Sequence, residues 1–207
     1  GAIAKAGLFQ PIPAEFFDLV NPAFSGADNL WVGLSGRVRV LNYNPEKVTE
    51  LPKSVLELAD PQWQGRIGIA PANASFQAFV TAMRITEGED VTAAWLEGIK
   101  RNGVVFEKNS AILEAVETGQ VDAGLINHYY WFARGAEVGA ENMTSKLAAF
   151  EPNDVGNLIN VAGLGILKDN AATRALTQFL LSETAQRYFV EQTFEYPVIK
   201  GLDLSLI

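Results

Sequence analysis

The sequence predicts an α/β fold. Short apolar runs with the length and composition of buried strands are each followed by a longer segment with the spacing of an amphipathic helix. Three such pairs lie in the middle of the chain: residues 66–70 with 76–86, residues 104–106 with 111–119, and residues 121–126 with 130–137. Strands that alternate with helices are typical of α/β proteins.

Composition limits the functions that the chain can have. Its 207 residues are 48% apolar and 19% charged, which is typical of a globular protein. The net charge of -8 argues against nucleic acid or an anionic membrane surface as the main partner. The absence of cysteine excludes disulfides and thiolate metal sites, and a single histidine excludes a zinc motif with two histidines.

Membrane and secretion signals are missing from the sequence. No run approaches the ~20 consecutive apolar residues that a membrane span needs. The first residues, Gly1-Ala2-Ile3-Ala4-Lys5, have too little apolar length for a secretory signal. We therefore expect either a cytosolic protein or one whose signal has been removed.

The N-terminal elements are a helix end over residues 2–9, closed by Gly7, and a short helix over residues 14–20. A long strand-like run follows at residues 30–43, with a predicted break at Ser35-Gly36. Period-2 alternation places Arg37 and Arg39 on the same face of this strand. Two arginines on one face are compatible with a solvated sheet edge as well as with a cationic binding surface.

The central elements begin with a capping box at residues 54–57, which opens a short helix that ends at Asp60-Pro61. After the strand at residues 66–70, small residues at Asn73, Ala74 and Ser75 precede a helix over residues 76–86. The free N–H groups of such a helix start can bind an anion. Alternatively, Asn73 or Ser75 is only an N-cap.

The remaining elements include a helix over residues 91–102 and a helix opened by Lys108-Asn109-Ser110, where Asn109 can be a simple cap residue. A second buried strand is predicted at residues 158–167. Residues 171–192 then form the clearest helix of the sequence. Its apolar stripe consists of Leu176, Phe179, Leu180 and Phe189.

The stretch most indicative of function is Asn127-His128-Tyr129-Tyr130, at the end of the strand over residues 121–126. Adjacent tyrosines on a regular strand point to opposite faces, so both can reach one ligand only if the backbone has left β geometry. A phenol has a pKa of about 10, but a trivalent cation can displace its proton. Two phenolates suit Fe(III) better than Zn(II) or Cu(I). The alternative is a group of core or lip aromatics, and His128 is interpreted as a lip residue.

Several segments together resemble the ferric-ion-binding proteins of bacterial iron ABC importers. They cover nearly the whole chain, in the order expected for that family. The matching segments are Leu125-Ile126-Asn127-x-Tyr129-Tyr130-Trp131, Leu34-Ser35-Gly36-Arg37-Val38-Arg39-Val40, Gly65-Arg66-Ile67-Gly68-Ile69 and Glu195-Tyr196-Pro197.

The resemblance implies a periplasmic-binding-protein-like two-lobed fold of type II, with one lobe nearly complete and the other partial. Residues 1–37 would form part of lobe 1 and a crossing strand, residues 38–159 would form lobe 2, and residues 160–207 would return to lobe 1. Family members are longer at both ends, so we expect the chain to be a fragment. It would lack a histidine and a carboxylate that other members contribute to the metal from their N-terminal segment.

The resemblance also implies a site in which Tyr129 and Tyr130 bind Fe(III) together with carbonate or phosphate. The residues expected at this anion are Arg37, Asn73, Ala74, Ser75, Asn109 and Asn127. Carbonate-binding members often have a threonine at the position of Ala72. This departure leaves the identity of the anion open.

The function implied is that of an extracytoplasmic solute-binding protein that delivers Fe(III) to the permease of an ABC importer. We expect a monomer that is periplasmic or lipid-anchored and does not bind nucleic acid. Related two-lobed proteins bind polyamines, thiamine or phosphonates without a metal, and this is the main alternative. The sequence shows no nucleophile elbow and no paired carboxylates, so an enzyme is not expected.

Overall fold

The computed structural model describes residues 2–202, and these residues form two compact units. The first unit combines the described residues up to Arg37 with those from Val161 onward. The second unit is continuous from Val38 to Asn160. The chain therefore leaves the first unit once and returns to it once.

Regular secondary structure alternates between helices and strands along the chain. The α-helices are α1 (Ala2–Lys5), α2 (Ala14–Leu19), α3 (Ala74–Thr86), α4 (Glu89–Asn102), α5 (Asn109–Glu117), α6 (Tyr129–Val138), α7 (Ala171–Leu180) and α8 (Glu183–Thr193). The strands are β1 (Val32–Tyr43), β2 (Ile67–Ile69), β3 (Gly103–Val105), β4 (Ala123–Asn127), β5 (Lys146–Ala148) and β6 (Ile159–Leu164). Short 3₁₀ helices span Pro22–Phe24, Val55–Ala59, Pro61–Trp63, Ala140–Asn142 and Val155–Asn157.

The strands are joined in the order β3-β2-β4-β1-β5, and β6 also pairs with β1. Strand β2 runs parallel to both β3 and β4, whereas β1 runs antiparallel to β4 and β5. The three parallel strands end at the same edge of the sheet. They lead there into α3, α5 and α6, so the starts of these three helices lie along one edge.

Two glycines allow α5 to approach the sheet closely. Gly68 and Gly124 are register partners on the parallel strands β2 and β4, and both lie against Ile112 of α5. A Cβ at residue 124 would lie 2.2 Å from the Cγ2 of Ile112. Ile112 is fully buried, so the missing side chains make the room that its packing needs.

The core of the second unit lies between the sheet and helices α3 and α4. The rings of Phe79 and Trp95 meet edge to face with centroids 5.5 Å apart, and the indole N–H of Trp95 donates to the carbonyl of Val55 at 2.9 Å. Asn102 donates to the carbonyls of Leu58 and Asp60. The buried apolar side chains of this core are Leu41, Val48, Val55, Leu58, Trp63, Ile67, Ile69, Phe76, Phe79, Met83, Trp95, Ile99, Ala123, Leu125, Phe150 and Val155.

The first unit has a smaller core and a buried glutamine. The amide of Gln186 donates to the carbonyls of Leu34 and Leu180, and its oxygen accepts from the N–H of Val198. These bonds tie α8 to β1 and to the segment that follows the helix. The buried apolar residues around them are Ile12, Phe16, Val20, Val32, Ile166, Leu181 and Val198.

The prediction of one helix over residues 171–192 is wrong. The chain forms α7 and α8, and Ser182 between them accepts a hydrogen bond from the N–H of Ala185 as an N-cap. The break lets Leu181 point into the core. Leu176 and Phe179 of the predicted apolar stripe are each 56% exposed.

The predicted break at Ser35-Gly36 is also wrong, because β1 runs through both residues. Gly36 exchanges two backbone hydrogen bonds of 2.7 Å with Tyr196. These bonds pair the N–H and the carbonyl of Gly36 while its backbone is extended. The conformational freedom of glycine therefore does not produce a turn here.

Only half of the predicted capping box at residues 54–57 forms. The hydroxyl of Ser54 accepts from the N–H of Leu56 and caps the 3₁₀ helix Val55–Ala59. The carboxylate of Glu57 accepts from the N–H of Lys53, not from that of Ser54. Asp60-Pro61 ends this 3₁₀ helix after little more than one turn.

Candidate metal and anion site

Tyr129 and Tyr130 lie side by side at the start of α6. Strand β4 ends at Asn127, and His128 already has helical backbone angles (φ -54°, ψ -41°). The backbone therefore leaves β geometry before the tyrosines, and their ring centroids are 4.4 Å apart with 31° between the planes. Both side chains are partly exposed. Neither phenol is sealed inside an apolar interior.

His128 is buried, and its interpretation as a lip residue is wrong. Only 1% of the residue is exposed, and its Nδ1 accepts a hydrogen bond of 3.2 Å from the N–H of Val38. The early turn into helical geometry directs the imidazole toward β1 and away from solvent. His128 therefore links the end of β4 to β1, directly before the tyrosines.

The loop before α3 is connected to the strand that precedes the tyrosines. The side-chain oxygen of Asn73 caps α3 by accepting from the N–H of Ser75 at 2.9 Å and from its hydroxyl at 2.5 Å. The hydroxyl of Ser75 in turn accepts from the amide of Asn127 at 3.5 Å. Ala74 is the first helical residue between them. Asn73, Ser75 and Asn127 thus form one hydrogen-bonded group at the sheet edge.

Asn109 is fully buried at the start of α5, on the same edge of the sheet. Neither polar atom of its side-chain amide has a hydrogen-bond partner within the part of the chain that the structure describes. Leaving a buried polar group without a partner costs about 1–3 kcal/mol. Unless water or a ligand pairs with it, the buried amide of Asn109 therefore lowers the stability of the fold.

The starts of α3, α5 and α6 add positive potential at this edge. The first N–H groups of a helix lack partners within the helix, and the aligned peptide dipoles place a partial positive charge there. Three such ends at one edge of the sheet favour a bound anion and negatively charged phenolates.

Arg37 is a residue of the first unit, whereas the residues above are in the second. Its Nη1 lies 3.7 Å from the carboxylate of Glu195, which also accepts a hydrogen bond from the hydroxyl of Ser35. Arg37 therefore forms an ion pair with Glu195 within its own unit. Its role at an anion stays a prediction.

Sequence reasoning missed Arg39. The guanidinium is buried over the rings of Phe76 and Phe79, with its central carbon 5.4 and 5.6 Å from their centroids. It donates to the carbonyl of Leu125 at 3.0 Å and to the hydroxyl of Ser75 at 3.4 Å. Burial lowers its pKa to about 10. The available signal was its position between two valines in an apolar strand, where a solvated charge is unusual.

The described residues offer no alternative metal site of the usual kind. Among residues 2–202, no group of three or more histidine, cysteine, aspartate or glutamate side chains is placed to hold a metal ion. No helix within the same residues is long and apolar enough to cross a membrane.

Comparison with known families gives a match over residues 1–205 to the bacterial extracellular solute-binding proteins. The chain belongs to this family. The Fe(3+)-binding periplasmic protein of Serratia marcescens is 36% identical over 205 residues, which cover 96% of this chain and 61% of that protein. This member of the family thus spans about three-fifths of the length of that relative.

Two solved structures show the same fold. Iron-bound HitA from Pseudomonas aeruginosa matches with a TM-score of 0.91 and 37% identity, covering 100% of this chain and 69% of that one. IdiA (FutA) from Trichodesmium, in complex with iron and citrate, matches with a TM-score of 0.86 and 28% identity, covering 99% and 69%. The predicted two-lobed α/β fold and the predicted family are confirmed, and the relatives are longer, as expected.

Proposed function

We propose that this chain is part of an extracytoplasmic solute-binding protein that captures Fe(III) through the phenolate oxygens of Tyr129 and Tyr130. The observation that carries the proposal is the pairing of these two rings, 4.4 Å apart and partly exposed, at the first turn of α6. The likeness to a relative named an Fe(3+)-binding periplasmic protein and to an iron-bound structure supports it.

The chemistry of the pair fits a ferric ion. A phenol with a pKa of about 10 is neutral at pH 7, but a neighbouring trivalent cation favours the anionic form and releases the proton. Both tyrosines occupy the first turn of a helix, where the positive end of the helix dipole also favours negative charge. The result would be two hard oxygen ligands next to each other.

An anion, carbonate or phosphate, would accompany the metal at the edge where α3, α5 and α6 begin. The hydrogen-bonded group of Asn73, Ser75 and Asn127, together with the backbone at Ala74, supports this location. The unpaired amide of Asn109 supports it independently. Arg37 is the further anion ligand that we propose from its position in the sequence.

The physiological role that we propose is delivery of Fe(III) to the permease of an ABC importer by a monomer, without any catalytic step. The protein would work in the periplasm or from a lipid anchor outside the cell. We propose the lobes as residues 1–37 with 160–207 for lobe 1 and residues 38–159 for lobe 2. Relatives of greater length are expected to supply further metal ligands from segments outside this chain.

A titration with ferric citrate tests the proposal. We expect at most a weak visible charge-transfer band with the unsubstituted chain, because it would lack the histidine and the carboxylate that other members contribute from their N-terminal segment. The combined substitutions Tyr129→Phe and Tyr130→Phe should abolish this band, because phenylalanine cannot supply an oxygen. The matched control is Tyr43→Phe with Tyr188→Phe, which removes two hydroxyl groups elsewhere and should leave the band unchanged. An unchanged ferric affinity in the first double variant would refute the assignment.

Calorimetry distinguishes the ferric function from binding of an organic solute. The chain is titrated with a polyamine, thiamine or a phosphonate in the presence of a metal chelator. We expect no saturable heat, because the proposed site needs the metal. Saturable binding under these conditions would favour the metal-free alternative.

A further inference from the structure

Arg39 is a buried charge without a carboxylate partner. Only 2% of the residue is exposed, and none of the ion pairs found among the described residues includes it. Taking an ionised group out of water is costly unless another charge or a set of hydrogen bonds compensates for it. The neighbours of Arg39 must therefore offset the cost of burying its charge.

Among residues 2–202, the groups that meet the guanidinium of Arg39 through a ring face or a hydrogen bond are neutral. They are the rings of Phe76 and Phe79, the carbonyl of Leu125 and the hydroxyl of Ser75. The Nε of Arg39 has no hydrogen-bond partner among residues 2–202. Ring faces and neutral oxygens stabilise a cation in part, but they leave its positive charge in place.

The guanidinium of Arg39 lies next to residues 73–75 at the start of α3, which we call the anion loop. Arg39 is the register partner of Asn127 across β1 and β4, and its Nη1 points to Ser75 in the loop. Asn127 also donates to Ser75. Both bonds to the hydroxyl, at 3.4 and 3.5 Å, are long, whereas the hydroxyl itself donates to Asn73 at 2.5 Å. Asn73 therefore holds Ser75 more firmly than Arg39 and Asn127 do.

We propose that Arg39 is a positioning residue that supplies the compensating positive charge for the anion bound at the start of α3, and that it acts through Ser75. This inference rests on the proposed function for the location of the anion. Arg39 does not touch the anion in this account. The second hydrogen bond of Arg39 goes to the carbonyl of Leu125 in β4, the strand that precedes Tyr129. One side chain therefore contacts both the anion loop and β4.

Arg66 shows how a purely structural arginine is arranged in the same unit. Its guanidinium also lies over an aromatic ring, that of Trp63, at 5.2 Å, and it donates to the carbonyls of Gln62 and Lys47. It differs in having a carboxylate partner, Asp122, at 2.6 Å. It precedes β2, at the end of the strand opposite to the anion loop. Arg66 is therefore the matched control.

The test measures binding of inorganic phosphate to the metal-free chain by calorimetry. Arg39→Gln should weaken phosphate binding by about tenfold or more, because a unit charge at several ångströms is lost from a partly dehydrated site. Arg39→Lys keeps the charge and should retain a larger part of the affinity than Arg39→Gln. Arg66→Gln should lower the melting temperature and leave the dissociation constant for phosphate unchanged.

An NMR measurement on the unsubstituted chain covers the case in which Arg39→Gln does not fold. The Nε–H signal of Arg39 should shift when phosphate is added, because the field at the guanidinium changes. A signal that does not move, or a folded Arg39→Gln variant with unchanged phosphate affinity, would overturn the proposal.

The two proposals can fail separately. Phosphate binding to the metal-free chain does not use the tyrosines. An Arg39-dependent phosphate site, together with a ferric affinity that Tyr129→Phe with Tyr130→Phe leaves unchanged, would therefore refute the ferric assignment alone. A ferric band that depends on Tyr129 and Tyr130, with phosphate affinity unaffected by Arg39→Gln, would refute the role of Arg39 alone.

Discussion

Apolar side chains on helices are buried to different extents in the two units of the molecule. In the second unit, Phe79 of α3 is fully buried and packs against Trp95. In the first unit, Phe179 of α7 is 56% exposed and borders an open apolar groove together with Leu180 and Tyr188. Helical spacing identifies the residues that share a face, but it does not show whether another element covers that face.

The largest expected difference between the units comes from the matched substitutions Phe79→Ala and Phe179→Ala. Phe79→Ala should lower the free energy of unfolding by about 3–5 kcal/mol, because it removes a fully buried ring and leaves a cavity. Phe179→Ala should change it by no more than about 0.5 kcal/mol, because solvent already reaches the ring. Urea unfolding followed by circular dichroism measures both. Equal losses would contradict the comparison.

A smaller effect tests whether buried hydrogen bonds stabilise the interior of the first unit as much as that of the second. Gln186→Ala removes three hydrogen bonds in the first unit, and Asn102→Ala removes two in the second. Each should destabilise the protein by about 1–3 kcal/mol, because buried backbone groups lose their partners. Similar losses of stability in the two variants would mean that the units differ only in how well their helix faces are covered. A negligible loss for Gln186→Ala would mean that the interior of the first unit is also less tightly packed.

The smallest expected effect concerns the break between α7 and α8. Ser182→Ala removes the N-cap of α8 and should cost about 1 kcal/mol, whereas Ser182→Gly should cost only a few tenths. If residues 171–192 formed one continuous helix, alanine would instead stabilise it, because alanine is the better residue in a helix interior. The sign of the change in urea unfolding therefore separates the two arrangements.

Local sequence patterns predicted much of the fold because they report on local physics. The strands and helices at residues 66–137 lie within a few residues of their predicted bounds, since apolar period and capping residues act over short distances. The turn of the backbone between Asn127 and Tyr129 was also expected from adjacent tyrosines followed by a helical pattern. The loop at Asn73 and Ser75 was recognised as a helix start that can be a cap or an anion site.

Two of the errors concern residues whose surroundings come from distant parts of the chain. His128 looked like a lip residue until the N–H of Val38, ninety positions away, gave it a buried partner. The strand at Ser35-Gly36 looked broken because its pairing partner, Tyr196, is 160 positions away. Neither partner can be identified from the residues next to the position in question.

The sequence by itself determined the alternation of strands and helices, the family, and the place of the tyrosine pair where a strand gives way to a helix. Only the tertiary structure decided that Arg37 is accompanied by a carboxylate while Arg39, two residues on, is buried among neutral groups beside the anion loop. Period-2 alternation gives both side chains the same direction. What each side chain meets in that direction depends on packing between segments far apart in the chain, and that packing sets the burial and the charge of its surroundings.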